Sequence, residues 1–206
     1  MSGHRSVFVS ADDETLSVYG AQAARYAAFT DGSVDDPHLS RFIADVVPGG
    51  RVLDLGCGPG AAAAQMAQAG LVVDATDAVP EMVDMATAAH PGVTAWIATF
   101  DDIAGVDLYD GIWANFSLLH APRTLMPAHL AALRTALKPG GRFHIGLKTG
   151  KGEKRDAIGR LYTYYEADEL SDLLTAAGFS PRDQWTGADP GLDGTVAPWV
   201  VIAANG

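Results

Sequence analysis

One cysteine in 206 residues leaves no internal disulfide to form, which fits a reducing compartment. Basic residues are scarce: 14 Lys and Arg stand against 25 Asp and Glu, for a net charge of −11. Such an acidic surface repels phosphate backbones, so no nucleic acid partner is expected, and no anionic membrane. No apolar run reaches the length a bilayer requires. The opening MSGHRSVFVSADDE lacks the basic start and long apolar stretch of a secretory leader, so the expected location is cytoplasmic. Six histidines are present (His4, His38, His90, His120, His129 and His144), and no pair has zinc-finger or H-E-x-x-H spacing; no metal is expected. No internal repeat or linker divides the chain, whose length and 48% apolar content suit one domain over 1–206.

What is present is alternation. A helix is expected over 12–29, a loop at TDGSVDDP, and a short amphipathic helix at 38–47 stopped by Pro48-Gly49-Gly50. RVLDL, LVVDAT, VTAWIA, YDGIWANF and GRFHIGLK read as strands, separated by Ala-rich or capped helical segments. After a helix at EADELSDLLTAAG, FSPRDQWTG and APWVVIAAN read as two closing strands without a helix between them. The pattern predicts an α/β fold, a mostly parallel sheet with helices on both faces and an antiparallel hairpin at one edge.

The densest signal is VLDLGCGPG, residues 52–60, between a strand and a helix. Glycine permits positive φ and close approach of a ligand to the backbone, and open α/β sheets bind ligands at this end of their strands. The next strand ends in Asp77, placed to accept from two ribose hydroxyls. G-C-G-P-G-A also fits a dinucleotide loop, but Asp54 would face a doubly charged pyrophosphate and Pro59 removes a backbone N–H. A cationic sulfonium or ammonium suits the same carboxylate.

VLDLGCGPG, Asp77, and LKPGG before the fifth strand resemble the class I S-adenosylmethionine-dependent methyltransferases, with a Rossmann-like seven-stranded sheet. The segments YDGIWANFSLLHAPR, LKTGKGEKRDAIGRLYTYY and LLTAAGF resemble small bacterial members likened to tellurite-resistance methyltransferases. The resemblance implies that Asp54, Gly56, Cys57, Gly58 and Gly60 surround the methionine end of S-adenosylmethionine. It implies Asp77 at the ribose, Ala78 and Met82 beside the adenine, and Thr99, Phe100 and Asp101 bordering that ring. Asn115 and Phe116 are then expected near the transferred methyl, and residues 1–30 form a helical lid carrying Tyr19 and Tyr26. Ordinary core packing is an equal reading for both tyrosines.

His120, in NFSLLH after the fourth strand, is a candidate base or substrate contact, and a hydrogen-bonded structural histidine is the alternative. Cys57 reads as a small residue between glycines rather than a nucleophile. The run 148–165 carries Lys148, Lys151, Lys154, Arg155 and Arg160 against Glu153 and Asp156 up to residue 160. It is either a solvated loop or a substrate-side insertion, with Lys148, Arg155 and Arg160 facing an anionic or polar acceptor. Asp156 is four residues from Arg160 and a possible partner for it. A-N-F-S in place of an N-P-P-Y type motif points, with the acidity, to a small-molecule acceptor. The rivals are an NAD(P)-dependent oxidoreductase and a noncatalytic S-adenosylmethionine-binding regulator.

Overall fold

The computed structural model describes residues 11–30 and 36–206. The first ten residues of the expected lid, and most of the TDGSVDDP loop, lie outside the described residues. The helix expected over 12–29 is two helices, α1 (Asp13–Ala21) and α2 (Ala23–Thr30). Gln22 interrupts them at φ −117°, ψ 17°, its N–H shared between the carbonyls of Val18 and Tyr19. Gly20, the poorest helix former in the segment, lies two residues upstream. Asp12 caps α1, accepting from Thr15 N and Oγ1. α3 (Pro37–Asp45) starts at the Asp36 cap with proline in its first turn.

From there strand and helix alternate: β1 (Arg51–Leu55), α4 (Ala61–Gln68), β2 (Val72–Asp77), α5 (Pro80–Ala89) and β3 (Val93–Ile97). A single 3-10 turn, Phe100–Asp102, leads to β4 (Tyr109–Asn115). Turns at Leu118–His120 and Arg123–Leu125 precede α6 (Met126–Ala136) and β5 (Leu137–Lys148). β6 (Glu153–Arg155), β7 (Leu161–Thr163), α7 (Ala167–Ala176), β8 (Ser180–Pro190) and β9 (Val196–Asn205) complete the chain.

Seven strands form one sheet in the order β3-β2-β1-β4-β5-β9-β8. β1 to β5 run parallel, and β9 is antiparallel to both β5 and β8. The expected edge hairpin is therefore present. The order reverses between β1 and β4, and that crevice is where open α/β sheets take ligands. Alternation along β1 divides the core. Leu53 and Leu55 pack with Ile112, Phe143 and the faces of α6 and α7, whereas Val52 packs with Val73, Ala75, Phe42 and Met66 on the other face.

The run 148–165 is not a bare loop. β6 and β7 pair antiparallel, Arg155 opposite Leu161 and Glu153 opposite Thr163. β6 reads EKR and is exposed, so no apolar alternation announces it.

Candidate active site

β1 delivers its chain end into a loop held to β2. The N–H groups of Gly56 and Cys57 both donate to Thr76 O, at 2.8 and 2.9 Å. Gly58 N donates to Asp77 Oδ2 and Val79 N to Asp77 Oδ1, both at 2.9 Å. Gly56 has φ +71°, and a Cβ there would lie 2.3 Å from Ser117 Cβ, so only glycine lets the post-β1 and post-β4 turns meet. Gly60, at φ +87°, serves packing: its missing Cβ would lie 2.6 Å from Ala86 Cα of α5. It borders no cavity described below.

Two chambers flank the loop, sharing Tyr26, Gly56 and Gly58 in their walls. The first opens between α1 and the ends of β2, β3 and β4. Of the expected residues it brings together Asp77, Ala78 and Met82, then Thr99 and Phe100, then Phe116 and His120, under Tyr19 and Tyr26. The second gathers Asp54, Cys57 and Asn115. Asn115 thus faces the chamber of Asp54, away from His120. Asp101 lines neither chamber and is exposed. The carboxylate that closes this turn is Asp102, which accepts from Thr99 N and Oγ1 at 2.8 Å.

Polar groups in both chambers await a partner. Six buried side-chain polar atoms among the described residues lack a hydrogen bond, and three of them, Asp54 Oδ2, Thr76 Oγ1 and Ser117 Oγ, belong to chamber-lining residues. Burial, then the charge of Asp77, pushes the Asp54 carboxyl up to about 7. Burial also raises Asp77, opposed by its backbone donors. The Cys57 thiol is pushed up by burial and by both carboxylates, which leaves it a poor nucleophile. Phe116 is a non-glycine residue at φ +54° whose N–H donates to Gly146 O. That strained turn brings Phe116 and Ser117 to the first chamber. Among the described residues no group of His, Cys, Asp or Glu is arranged to hold a metal ion.

Proton placement around His120 follows from its partners. Leu161 O, 2.6 Å from Nδ1, can only accept, so Nδ1 carries the proton. Nε2 then accepts from the Tyr19 hydroxyl at 2.9 Å, and Tyr19 O accepts from Arg160 Nη1 at 2.9 Å. Burial, aided by the charges of Arg160 and Lys148, pulls His120 down to about 4, so it is neutral at pH 7. His120 borders the chamber, but its basic nitrogen is already engaged.

The basic stretch is a clasp. Arg155 donates to Asp12 Oδ1 and Oδ2 at 2.9 and 2.8 Å and pairs with Glu14 at 3.1 Å. Leu161 N donates to Thr15 Oγ1 at 2.8 Å. Arg160, 2% exposed, gives Nε and Nη2 to Asp156 Oδ2 at 2.8 and 2.7 Å. Neither arginine lines either chamber, which corrects the expectation that they face an acceptor. The partners of Arg155 lie at the start of α1, a proximity that only the fold creates, whereas Asp156 is the partner four residues away that the sequence offers Arg160. Lys148 forms no ion pair within 4 Å among the described residues, and its ammonium lies 4.2 Å from the Tyr162 ring centroid. Sequence reasoning missed Thr15 and Leu16 of α1, and Thr76 and Ser117 at the strand ends; nothing in their local spacing distinguishes them.

Residues 52–141 match a family model described as a methyltransferase domain. An uncharacterized methyltransferase of Mycobacterium tuberculosis is 31% identical over 141 residues, 68% of this chain and 53% of that protein. The chain thus spans about half the length of the curated relatives it matches. The 1,6-didemethyltoxoflavin-N1-methyltransferase of Burkholderia thailandensis, solved with 1,6-didemethyltoxoflavin and S-adenosylhomocysteine bound, superposes with TM-score 0.74 at 25% identity, covering 96% of this chain and 91% of that one. The [4+2]-cyclase SpnF has the same TM-score at 17% identity, covering 96% and 97%. The fold is that of the Rossmann-like methyltransferases, and its presence in a cyclase leaves the reaction to be argued from the site.

Proposed function

We propose that this protein is an S-adenosylmethionine-dependent methyltransferase that acts on a small-molecule acceptor. The observation that carries the reading is the division of the crevice by the glycine loop. A carboxylate tied to backbone N–H groups stands on one side and a buried carboxylate with an unpartnered oxygen on the other. A nucleoside with a cationic amino-acid arm matches both. In this reading Asp77 accepts from the ribose hydroxyls, Ala78, Met82, Thr99 and Phe100 border the adenine, and Asp54 receives the ammonium. A pyrophosphate in place of that arm would meet the charge of Asp54, which disfavours the NAD(P) alternative.

When bound, the sulfonium supplies an electrophilic methyl group and a neutral leaving group. The chain's own part is placement and exclusion of water. α1 lies over the first chamber, fastened through Asp12, Glu14 and Thr15. Phe116, Ser117 and His120 form the wall beside which the acceptor is held. Tyr19 fixes the neutral His120 ring, and that ring takes up an acceptor proton only by exchanging the Tyr19 hydrogen bond. Arg155 and Arg160 are paired with carboxylates, and Lys148, though without an ion pair among the described residues, lines neither chamber, so a polar acceptor suits these walls better than an anionic one. The 1,6-didemethyltoxoflavin bound by the Burkholderia neighbour supports a small-molecule acceptor.

The test has two stages. S-Adenosylhomocysteine raises the melting temperature of the full chain, whereas NADH does not; the reverse result rejects the reading. Incubation with S-adenosylmethionine and a panel of small hydroxyl, amine, thiol and anionic acceptors then yields S-adenosylhomocysteine, followed by mass spectrometry. Tight binding without turnover across the panel favours a regulator.

A further inference from the structure

His144 lines neither chamber, yet it governs a group that does. It lies on β5 opposite Trp113 of β4, 2% exposed, and its ring stacks on that indole with centroids 3.6 Å apart and planes 17° apart. Its Nε2 is 3.0 Å from Asn115 Oδ1. A carboxamide oxygen only accepts, so Nε2 carries the proton. Burial, with His38 nearby, holds the imidazole well below its ordinary range, so the ring is neutral.

Glycine makes room on the other side of that carboxamide. A Cβ on Gly146, the register partner of Asn115, would lie 2.5 Å from Asn115 Oδ1, so only glycine admits the oxygen there. In that space the oxygen meets His144 Nε2. Asn115 lines the second chamber, and with its oxygen bonded to His144 its remaining polar group is the amide NH2. The unpartnered Asp54 Oδ2 belongs to the same chamber. An anionic acceptor and a neutral pair of donors are the complement of an ammonium and a carboxylate. Released from His144, the amide can rotate and turn its oxygen toward an incoming carboxylate, which that oxygen repels.

We propose that His144 is a positioning residue that locks the Asn115 carboxamide donor-first, so that the second chamber selects a zwitterionic α-amino-acid end. The inference rests on the transferase reading. It also gives Asn115 a role different from contact with the transferred methyl.

Calorimetry on the full chain separates this role from a structural one. The probes are S-adenosylhomocysteine and 5′-methylthioadenosine, which shares the nucleoside but lacks the amino-acid end. His144→Phe keeps a ring against Trp113 and removes the donor. It weakens S-adenosylhomocysteine by about five- to twentyfold, on the scale of one lost hydrogen bond to a charged group, and leaves 5′-methylthioadenosine within about twofold. His144→Gln, which can still donate to Asn115, recovers most of the loss. Equal weakening of both probes, or none of either, overturns the lock. Long-range 1H–15N spectra of the wild type at pH 7 show the Nε2–H tautomer for His144; an Nδ1–H tautomer or a charged ring overturns it even if the variants fail to fold. Failure of the wild type to bind S-adenosylhomocysteine is a different result, which removes the transferase reading itself.

Discussion

The loop at 54–60 and the hairpin segment at 153–163 differ in what their polar groups have found. At the loop, Asp54, Thr76 and Ser117 are buried around a cavity with oxygen atoms that no described residue satisfies. In the hairpin, charge is denser, but Arg155 is matched by Asp12 and Glu14, and Arg160 by Asp156. Both regions stand out in the sequence, one for glycine and one for positive charge. A buried polar group without a partner is costly and persists where a ligand supplies the partner; a paired charge has already found its role within the fold.

The sharpest way to break this contrast is Arg160→Ala. Removing one member of a buried pair leaves Asp156 uncompensated, at a cost of about 3–5 kcal/mol. Chemical denaturation should show a large loss of stability. A stable variant impaired only in acceptor use would return Arg160 to the acceptor site.

Asp77→Ala comes next. On the proposed reading it removes an acceptor for two ribose hydroxyls, and it frees Gly58 N and Val79 N. With charged hydrogen bonds contributing about 1.5–3 kcal/mol each, S-adenosylhomocysteine affinity falls at least about tenfold and toward a hundredfold. Unchanged calorimetric affinity in a folded variant would remove Asp77 from the ribose.

Asp54→Asn sharpens the contrast by opposing stability to binding. The folded carboxyl titrates near 7, above its unfolded value near 3.9. The folded state therefore holds the extra proton between these values. Stability from that proton is fully present below about pH 4 and is lost as pH rises through about 7. At pH 8 the Asn variant should be more stable than the unliganded wild type by about 1–3 kcal/mol, while binding S-adenosylhomocysteine about tenfold more weakly. If Asp54 receives the ammonium as proposed, wild-type affinity should also decline below pH 7 as that carboxylate is protonated. Thermal melts and titrations from pH 5 to 8 read both effects, and a wild-type affinity flat across that range would contradict the assignment.

Arg155→Ala should be milder, because its ion pairs are at the surface and screened by salt. In stopped flow, S-adenosylhomocysteine dissociates about two- to fivefold faster at low salt, and the difference from wild type shrinks as salt is added. A wild-type off-rate would mean that the clasp does not hold α1. The smallest effect belongs to Cys57→Ala, which keeps a small residue at a site where the thiol is held protonated. Methyl transfer should remain within about twofold of wild type, in line with a substitution that removes no hydrogen bond of consequence. Loss of turnover with intact binding would make the thiol a participant.

Local pattern determined the order of elements, the parallel sheet, the closing hairpin, and the glycine loop followed by an acid, since each depends on residues adjacent in the chain. Seven strands appear near their expected places because apolar runs and glycine or proline stops act over a few residues. Pairing across long separations was illegible. Arg155 meets Asp12 across 143 positions, Tyr19 meets His120 across 101, and Asn115 meets His144 across 29. A charge or an imidazole has no fixed meaning until its neighbour is known. The i,i+4 spacing already offered Asp156 to Arg160, but the tertiary structure alone decided that Arg155 fastens α1, that Asn115 shares a chamber with Asp54, and that the basic nitrogen of His120 is taken by Tyr19. Hydrogen bonding and desolvation act through space, and the sheet order sets which residues share that space.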